Sequence, residues 1–197
     1  MKAFILIFIL IMTLSGTAYS FEGIVAAWLF NEGSGDDIND SVGNNNGEIE
    51  GSLKWVDGKF GKALEFAGAG DSYVTIPHND IMDSVPYTIT AWVKLEPVGW
   101  QYIIWKNGVV WPEVHKKRHM DIWVHDADYV VAMWHNEAGV EERIDGTIIV
   151  ADGTWHHVAK VYDGDTVYLY IDGQVDGEAT TSGIAVNGED PLWIGAR

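Results

Sequence analysis

The chain contains no cysteine, and this absence removes several kinds of structure and chemistry at once. Disulfide bonds, thiolate metal sites and lipid attachment to a cysteine are all excluded. A domain without these features must be held together by its hydrophobic core alone. A chain of 197 residues is long enough to form one domain with a sizeable core.

Basic residues are scarce, with 12 Lys and Arg against 29 Asp and Glu, which gives a net charge of −17. A protein this acidic is repelled by phosphate groups, so nucleic acid and anionic membrane surfaces are not expected as partners. The charge suits divalent cations or neutral polymers better. A solvated acidic surface without any partner is the simpler explanation and the one we favour.

Long apolar runs are also scarce, and the run from Ala3 to Leu14 is too short to span a bilayer. It follows Lys2 and precedes Ala18-Tyr19-Ser20, the arrangement that is typical of a secretory leader. We therefore predict a leader over residues 1–20, cleavage after Ser20 and a single mature domain over residues 21–197. The alternative is an uncleaved anchor. The mature protein is expected to have no membrane span and to be secreted, periplasmic or held at the cell surface.

Short apolar runs separated by glycine turns predict an all-β protein, with no convincing helix. The clearest signal is a hairpin, whose two strands alternate with a period of two around the turn at Asp163-Gly164. In this hairpin we assign Trp155, His157, Val161 and Leu169 to the core. The pattern favours an antiparallel sandwich or jelly roll. The predicted strands are 24–30, 47–50, 63–66, 72–76, 87–94, 100–106, 120–125, 129–134, 140–144, 155–162, 166–171 and 191–194, with an exposed loop over 107–119.

Several segments in a specific order carry a family resemblance: WLFNEGSG at 28–35, DSVGNNNGEIEG at 40–51, GKFGKALEFAGAGDSYVTIP at 58–77, YTITAWVK at 87–94, the hairpin at 154–173 and LWIGA at 192–196. The chain resembles the LamG-like jelly rolls of the concanavalin A-like lectin/glucanase superfamily. The resemblance implies two antiparallel sheets packed face to face. It also implies a further strand after the LWIG segment, so we expect a domain that lacks its C-terminal strand and leaves 24–30 without a partner. The alternative is a natural variant that covers this edge in another way.

No catalytic residues are predicted. Glycoside hydrolysis needs two carboxyl groups in close, fixed geometry, and the Glu-x-Asp-x-x-Glu pattern of related glucanases is absent. Glu141 and Asp145 come nearest, but their spacing differs. The expected function is therefore a non-catalytic binding module for carbohydrate or an extracellular protein. The alternatives are a glucanase or lyase of the same superfamily, a targeting module cut from such an enzyme, and a structural surface domain that binds protein only.

Aromatic residues supply the candidate binding sites, because flat rings stack on the C–H faces of sugars. Of the ten tryptophans, we assign Trp28, Trp55, Trp155 and Trp193 to the core. The candidates for ligand binding are Trp92, Trp100, Trp111, Tyr162, Tyr168 and Tyr170, and the loop at 107–119, with its basic cluster from His115 to His119, is an alternative surface. The family resemblance further implies a calcium ion at the rim of the sandwich, with Glu32 and Asp40 as candidate ligands.

Overall fold

The computed structural model describes residues 3–8 at the level of the backbone, together with residues 23–66, 72–106, 118–186 and 189–195. These residues form strands and one short 3₁₀ turn, Asp80–Asp83. None of the described helical segments is long and apolar enough to cross a membrane. The strands are β1 Ala3–Phe8, β2 Asp37–Ile38, β3 Gly47–Glu50, β4 Lys54–Asp57, β5 Lys62–Phe66, β6 Tyr73–Ile76, β7 Tyr87–Lys94, β8 Gln101–Lys106, β9 Asp121–Val124, β10 Tyr129–His135, β11 Glu141–Ile149, β12 Trp155–Tyr162, β13 Thr166–Ile171, β14 Gln174–Thr180 and β15 Leu192–Ile194.

The strands form two sheets in which every described pairing is antiparallel. One sheet has seven strands in the order β14-β13-β12-β7-β1-β5-β4. The other has eight strands in the order β11-β10-β9-β8-β15-β6-β3-β2. A single apolar core lies between them, built from alternate residues of both sheets. The prediction of an all-β, two-sheet antiparallel sandwich is confirmed.

The alternation in the β12–β13 hairpin is as expected, but the inward set of β12 is the opposite one. Val158, Lys160 and Tyr162 are buried towards the second sheet, whereas His157 and Val161 are only partly buried. The assignment of His157 and Val161 to the core is therefore wrong. Tyr162, which we expected on a free face, is 5% exposed and its hydroxyl donates to the carbonyl oxygen of Gly164 at 2.9 Å.

The segment 24–30 does not form the predicted strand. It makes one isolated bridge, Trp28 to Asp40, and Phe30 then turns the chain with a φ of 51°. Buried side chains hold this segment in place, and it has no ladder of backbone hydrogen bonds to a neighbouring strand. Trp28 and Phe30 are both fully buried, and the indole N–H of Trp28 donates to the carbonyl oxygen of Asn45 at 2.7 Å.

The backbone of β1 lies in the middle of the seven-stranded sheet, between β5 and β7. This strand falls inside the predicted leader. Cleavage after Ser20 stays a prediction. Most of the predicted loop at 107–119, including Trp111 and His115, lies outside the described residues.

Candidate functional site

A series of aromatic rings crosses the outer face of the eight-stranded sheet, the face turned away from the core. Each ring contacts the next, over the four neighbouring strands β10, β9, β8 and β15, a width of about 14 Å at the usual spacing between strands. We call this series the aromatic ribbon. Its members are Trp100, Tyr102, Trp105, Trp123, His125, Tyr129 and Trp193.

Strand register places these rings on one face. Trp193 lies opposite Trp105 between β15 and β8, and Tyr102 lies opposite Trp123 between β8 and β9. Their neighbours along the strands, such as Ile194, belong to the core. Because successive side chains of a strand point to opposite faces, the rings must lie on the outer one. A bulge between Tyr102 and Ile104 allows two rings of the same strand to share this face.

Most rings of the ribbon stack on a neighbour, and Trp100 is the one member that is exposed rather than buried or half-buried. Trp105 and Trp193 stack with centroids 4.4 Å apart, and Trp100 and Trp123 also stack at 4.4 Å. Trp123 is 4% exposed, so its faces are taken up by neighbours. Trp100 is 52% exposed and ends this stack. Trp100 is therefore the platform of the ribbon.

Two indole N–H groups of the ribbon, those of Trp105 and Trp123, are buried. Among the described residues, the buried Nε1 atoms of Trp105 and Trp123 have no hydrogen-bond partner. A buried donor without a partner costs about 1–3 kcal/mol, so most protein folds avoid it.

Both ends of the ribbon are acidic. At one end, Asp126 lies beside His125 and is 58% exposed. At the other end, Trp193 lies opposite Thr75, which lies opposite the exposed Glu48 on the next strand. Carboxylates accept hydrogen bonds from hydroxyl groups and repel anions. The surface therefore suits a neutral molecule rich in hydroxyl groups.

A second, smaller aromatic surface lies on the outer face of the seven-stranded sheet. Trp92 contacts Phe60 edge-on at 5.8 Å and His157 at 5.2 Å, and Nζ of Lys59 lies 4.2 Å from the Trp92 ring. We call these four residues the Trp92 patch. Phe60 is 57% exposed, while a lysine already covers Trp92. The Trp92 ring, a predicted ligand-binding residue, therefore has less free surface for a ligand than the sequence alone suggests.

The residues predicted to bind ligand do not form one site. Trp92, Tyr168 and Tyr170 lie on the outer face of the seven-stranded sheet, and Tyr168 contacts Tyr170 at 6.2 Å. Trp100 lies on the other sheet, Tyr162 lies in the core and Trp111 lies outside the described residues.

Sequence reasoning missed most of the ribbon. Trp193, which we assigned to the core, lies on the outer face between two core residues, Leu192 and Ile194. The spacing of two between Trp100 and Tyr102, repeated in Trp123 and His125, was the available signal. It indicates that neighbouring strands each carry rings on one face.

The candidate calcium ligands are held by hydrogen bonds of the protein. Oδ1 of Asp40 accepts from the backbone N–H groups of Ala27 and Val42, and Oδ2 accepts from the backbone and side-chain N–H groups of Asn45. Burial alone would raise the pKa of Asp40, but the backbone donors around it outweigh this effect and lower the pKa. Both carboxylate oxygens of Asp40 thus accept hydrogen bonds from the protein, and calcium binding at Asp40 stays a prediction.

Glu32 fits a cation better than Asp40 does. Its Oε1 accepts from the backbone N–H of Asn39 at 2.8 Å, but its buried Oε2 has no partner among the described residues. The part of the chain that the structure describes contains no group of three or more His, Cys, Asp or Glu able to hold a metal ion. A calcium site here would therefore need carbonyl oxygens or water in addition to Glu32.

The carboxylates nearest to the glycosidase pattern, Glu141 and Asp145, do not have the spacing of a catalytic pair. Glu141 and Asp145 are four residues apart on β11, about 13 Å along a strand, whereas paired glycosidase carboxyls are about 5–9.5 Å apart. Glu142 accepts hydrogen bonds from the side chains of Trp134 and Asn136. Burial raises the pKa of Asp121 to about 6, but Asp121 is 1% exposed and out of reach of a substrate.

Solved structures share this architecture. The binding domain of Paraclostridial mosquitocidal protein 1 is similar with a TM-score of 0.67 and 16% identity, over 83% of this chain and 43% of that chain. Domain 4 of an extracellular arabinanase from Geobacillus stearothermophilus, in complex with arabinotriose, has a TM-score of 0.56 and 21% identity, over 80% and 77%. An S-layer domain-containing protein from Clostridium thermocellum has a TM-score of 0.50 and 27% identity, over 81% and 73%.

The present chain thus spans less than half of the first of these structures. No curated protein sequence matches the chain. A family model described as the concanavalin A-like lectin/glucanases superfamily matches residues 68–197, and the chain belongs to this superfamily.

Proposed function

We propose that the protein is an exported, non-catalytic module that binds a neutral glycan on the aromatic ribbon. The exposed face of Trp100 carries this proposal, because it is a flat apolar platform at the end of a stack of rings. Weakly polar C–H faces of a sugar ring stack on such a surface, and nearby carboxylates accept from its hydroxyl groups. The ribbon is wide enough for a short oligosaccharide.

The fold is compatible with this function, since the similar arabinanase domain was solved with arabinotriose. Export is proposed from the predicted leader at residues 1–20. An extracellular protein partner is the second possibility for the same surface. A glycan array separates the two, because a module that binds protein only gives no signal on any glycan.

The decisive test compares two aromatic residues of similar exposure on opposite sheets. Trp100→Ala should weaken binding of an array-selected neutral oligosaccharide, measured by calorimetry, by about 10-fold or more. Phe60→Ala, in the Trp92 patch, should change it by less than about 2-fold. The reverse pattern would move the site to the seven-stranded sheet and overturn the proposal.

An enzyme of the same superfamily is the runner-up, and the raised pKa of Asp121 is the observation in its favour. The burial of Asp121 argues against it. Hydrolysis of laminarin by the purified protein, lost in Asp121→Asn, would establish the enzyme. Without any hydrolysis, the non-catalytic proposal stands.

We further propose that a calcium ion binds at Glu32 and stabilises the loop around this residue. A raised melting temperature in calcium chloride relative to EDTA, lost in Glu32→Gln, is the expected result. An unchanged melting temperature in the unsubstituted protein would remove calcium from the proposal.

A further inference from the structure

The ring of His125 lies at the side of the exposed platform Trp100. Its centroid is 4.8 Å from that of Trp100 and 5.9 Å from that of Trp123, which covers one face of Trp100. A ring on the free face of Trp100 would be separated from Trp123 by the full thickness of the stack. His125 therefore leaves the free face of Trp100 open and lies at its edge.

The hairpin between β9 and β10 holds the His125 ring in place. The backbone N–H of His125 donates to the carbonyl oxygen of Tyr129 at 2.9 Å, and Asp128 turns the chain between them with a φ of 68°. The rings of His125 and Tyr129 also stack, with centroids 4.7 Å apart and planes 8° apart. Because the ring is already ordered, a ligand that binds to it loses little affinity to the cost of fixing a side chain.

One ring nitrogen of His125 is occupied by the protein itself. Nδ1 accepts from the backbone N–H of Ala127 at 3.1 Å, and Oδ1 of Asp126 lies 2.5 Å from the same nitrogen. A ring nitrogen that accepts a hydrogen bond carries no hydrogen. In the neutral ring the hydrogen is therefore on the other nitrogen, Nε2.

Nε2 of His125 is open to solvent. Within the described part of the chain it makes no hydrogen bond, and it is not one of the buried polar atoms that lack a partner. The side chain is 23% exposed. An N–H donor thus lies at the edge of a flat apolar platform. Stacking fixes the plane of a sugar ring, whereas a directional hydrogen bond at the edge distinguishes one hydroxyl group from another.

We propose that Nε2–H of His125 donates to an equatorial hydroxyl group of a sugar ring that stacks on Trp100. The inference rests on the glycan-binding function proposed above and names the class of ligand. Equatorial hydroxyl groups extend sideways from a stacked ring, towards a donor at the edge of the platform. Axial ones point away from the plane of the ring. The ligand that fits is a neutral glycan of pyranose rings with equatorial hydroxyl groups.

Nuclear magnetic resonance tests the contact directly, on the full chain labelled with nitrogen-15 in its histidines and at about pH 8. The probes are cellotetraose and laminaritetraose. In the free protein, His125 should carry its hydrogen on Nε2, and at least one probe should shift the Nε2 resonance. The control is His156 on the other sheet, whose two ring nitrogens contact Asp172 and Asp152, and its resonances should not move. A His125 resonance that neither probe shifts would overturn the inference.

Two variants separate Nε2 from the structural contacts of the ring. His125→Phe keeps a ring that can stack on Tyr129, and His125→Asn keeps an oxygen that can accept from the N–H of Ala127. Both lack Nε2, so each should weaken binding of the probe by about 3- to 10-fold in calorimetry. If only one of them weakens binding, the effect comes from the structural contact which that variant has lost, and the inference fails. It also fails if neither does.

Trp100→Ala, measured with the same probe, separates this inference from the proposed function. If Trp100→Ala weakens binding and the two His125 variants do not, the aromatic ribbon binds glycan without the help of His125. If Trp100→Ala leaves binding unchanged, the glycan binds elsewhere and both proposals fail. Binding of neither cellotetraose nor laminaritetraose would overturn the inference, while the glycan array would still test the ribbon.

Discussion

At the scale of single residues, some polar side chains of this fold form hydrogen bonds to backbone groups, and the sequence alone does not show which ones do. Asp40 is a predicted metal ligand, and its four N–H contacts also hold the loop that follows the buried Trp28. Lys160 was not singled out at all, yet it is fully buried and bonds two carbonyl oxygens of the opposite sheet region. Residue type alone does not show whether a polar side chain binds a metal ion or holds the backbone of a loop through hydrogen bonds.

Asp40→Asn should destabilise the protein, because an amide N–H would face N–H donors that now bind a carboxylate. We expect the free energy of unfolding at neutral pH, measured in urea, to fall by about 1–3 kcal/mol. Asp36→Asn, an exposed carboxylate in the same segment, is the control and should have little effect.

Lowering the pH should remove the contribution of the Asp40 carboxylate to the free energy of unfolding. Its pKa is lower in the folded than in the unfolded protein, so its contribution to stability is present above pH 3.8 and is lost as pH falls through the folded pKa. The wild-type and Asp40→Asn proteins should therefore converge in stability on acidification. A constant difference down to low pH would contradict this role.

The buried Lys160 should make stability depend on pH in an unusual direction. Its Nζ donates to the carbonyl oxygens of His119 and Met133, both at 2.7 Å, and a neutral amine still has the two N–H groups that these contacts need. Burial lowers the pKa of Lys160 to about 7, although the Asp121 carboxylate opposes the change. Burial likewise raises the pKa of Asp121 to about 6.

Asp121 and Lys160 change stability with pH because the folded and unfolded protein bind their protons with different affinity. Between 3.8 and about 6 the folded protein holds the Asp121 proton more tightly, so stability falls as pH rises. Between about 7 and 10.5 the unfolded chain holds the Lys160 proton more tightly, so stability rises with pH. The contribution of the pair should be smallest between pH 6 and 7.

Urea unfolding across this range should show the alkaline rise in the wild type and its loss in Lys160→Met. Lys54→Met, at an exposed lysine, should leave the shape of the curve unchanged. If Lys160→Met runs parallel to the wild type, the ammonium group keeps its ordinary pKa.

At the scale of elements, apolar alternation predicted most of the strands, but the apolar segment 24–30 forms only one bridge and some strands lack the signal. β7, β12 and β13 begin and end at the predicted residues. β4 and β14 are rich in polar residues and were missed, because pairing with a neighbour holds them rather than a buried face. The inward face of β12 was misassigned since its inward set includes a lysine.

The side chain of Asp176 on β14 joins the edges of the two sheets. Its carboxylate accepts from the backbone N–H groups of Thr147 and Ile148 on β11 and from the Thr147 hydroxyl at 2.7 Å. Gly146 makes room for this contact, because a Cβ there would lie 2.3 Å from Oδ2 of Asp176. The contact satisfies edge N–H groups that would otherwise be open to another strand.

Asp176→Ala should therefore lower the free energy of unfolding by about 1–3 kcal/mol and speed hydrogen exchange at the amides of Thr147 and Ile148. Glu178→Ala, an exposed carboxylate on the same strand, is the matched control. Unchanged exchange at these two amides in Asp176→Ala would show that the contact does not protect the edge.

At the scale of the whole molecule, composition and segment order were sufficient for the fold class and the superfamily, but not for the binding surface. The ribbon is assembled from four strands that are distant in sequence, so the contact of Trp105 with Trp193 depends on sheet order. Local alternation carries no information on that order. The strand position of Ala3–Phe8 was hidden for the same reason.

The net charge of −17, with carboxylates at both ends of the ribbon, should make ligand choice depend on ligand charge. A neutral oligosaccharide makes no long-range Coulomb contact, so its affinity should change by less than about 2-fold between 50 and 500 mM salt. An oligosaccharide of similar size that carries uronic acids should bind at least about 10-fold more weakly at low salt, and salt should narrow the gap by screening. The double variant Asp126→Asn/Glu48→Gln should reduce the difference in affinity between the neutral and the acidic oligosaccharide at low salt. Its affinity for the neutral oligosaccharide should change by no more than about 3-fold. Tighter binding of the acidic ligand in the unsubstituted protein would place the site elsewhere than the aromatic ribbon.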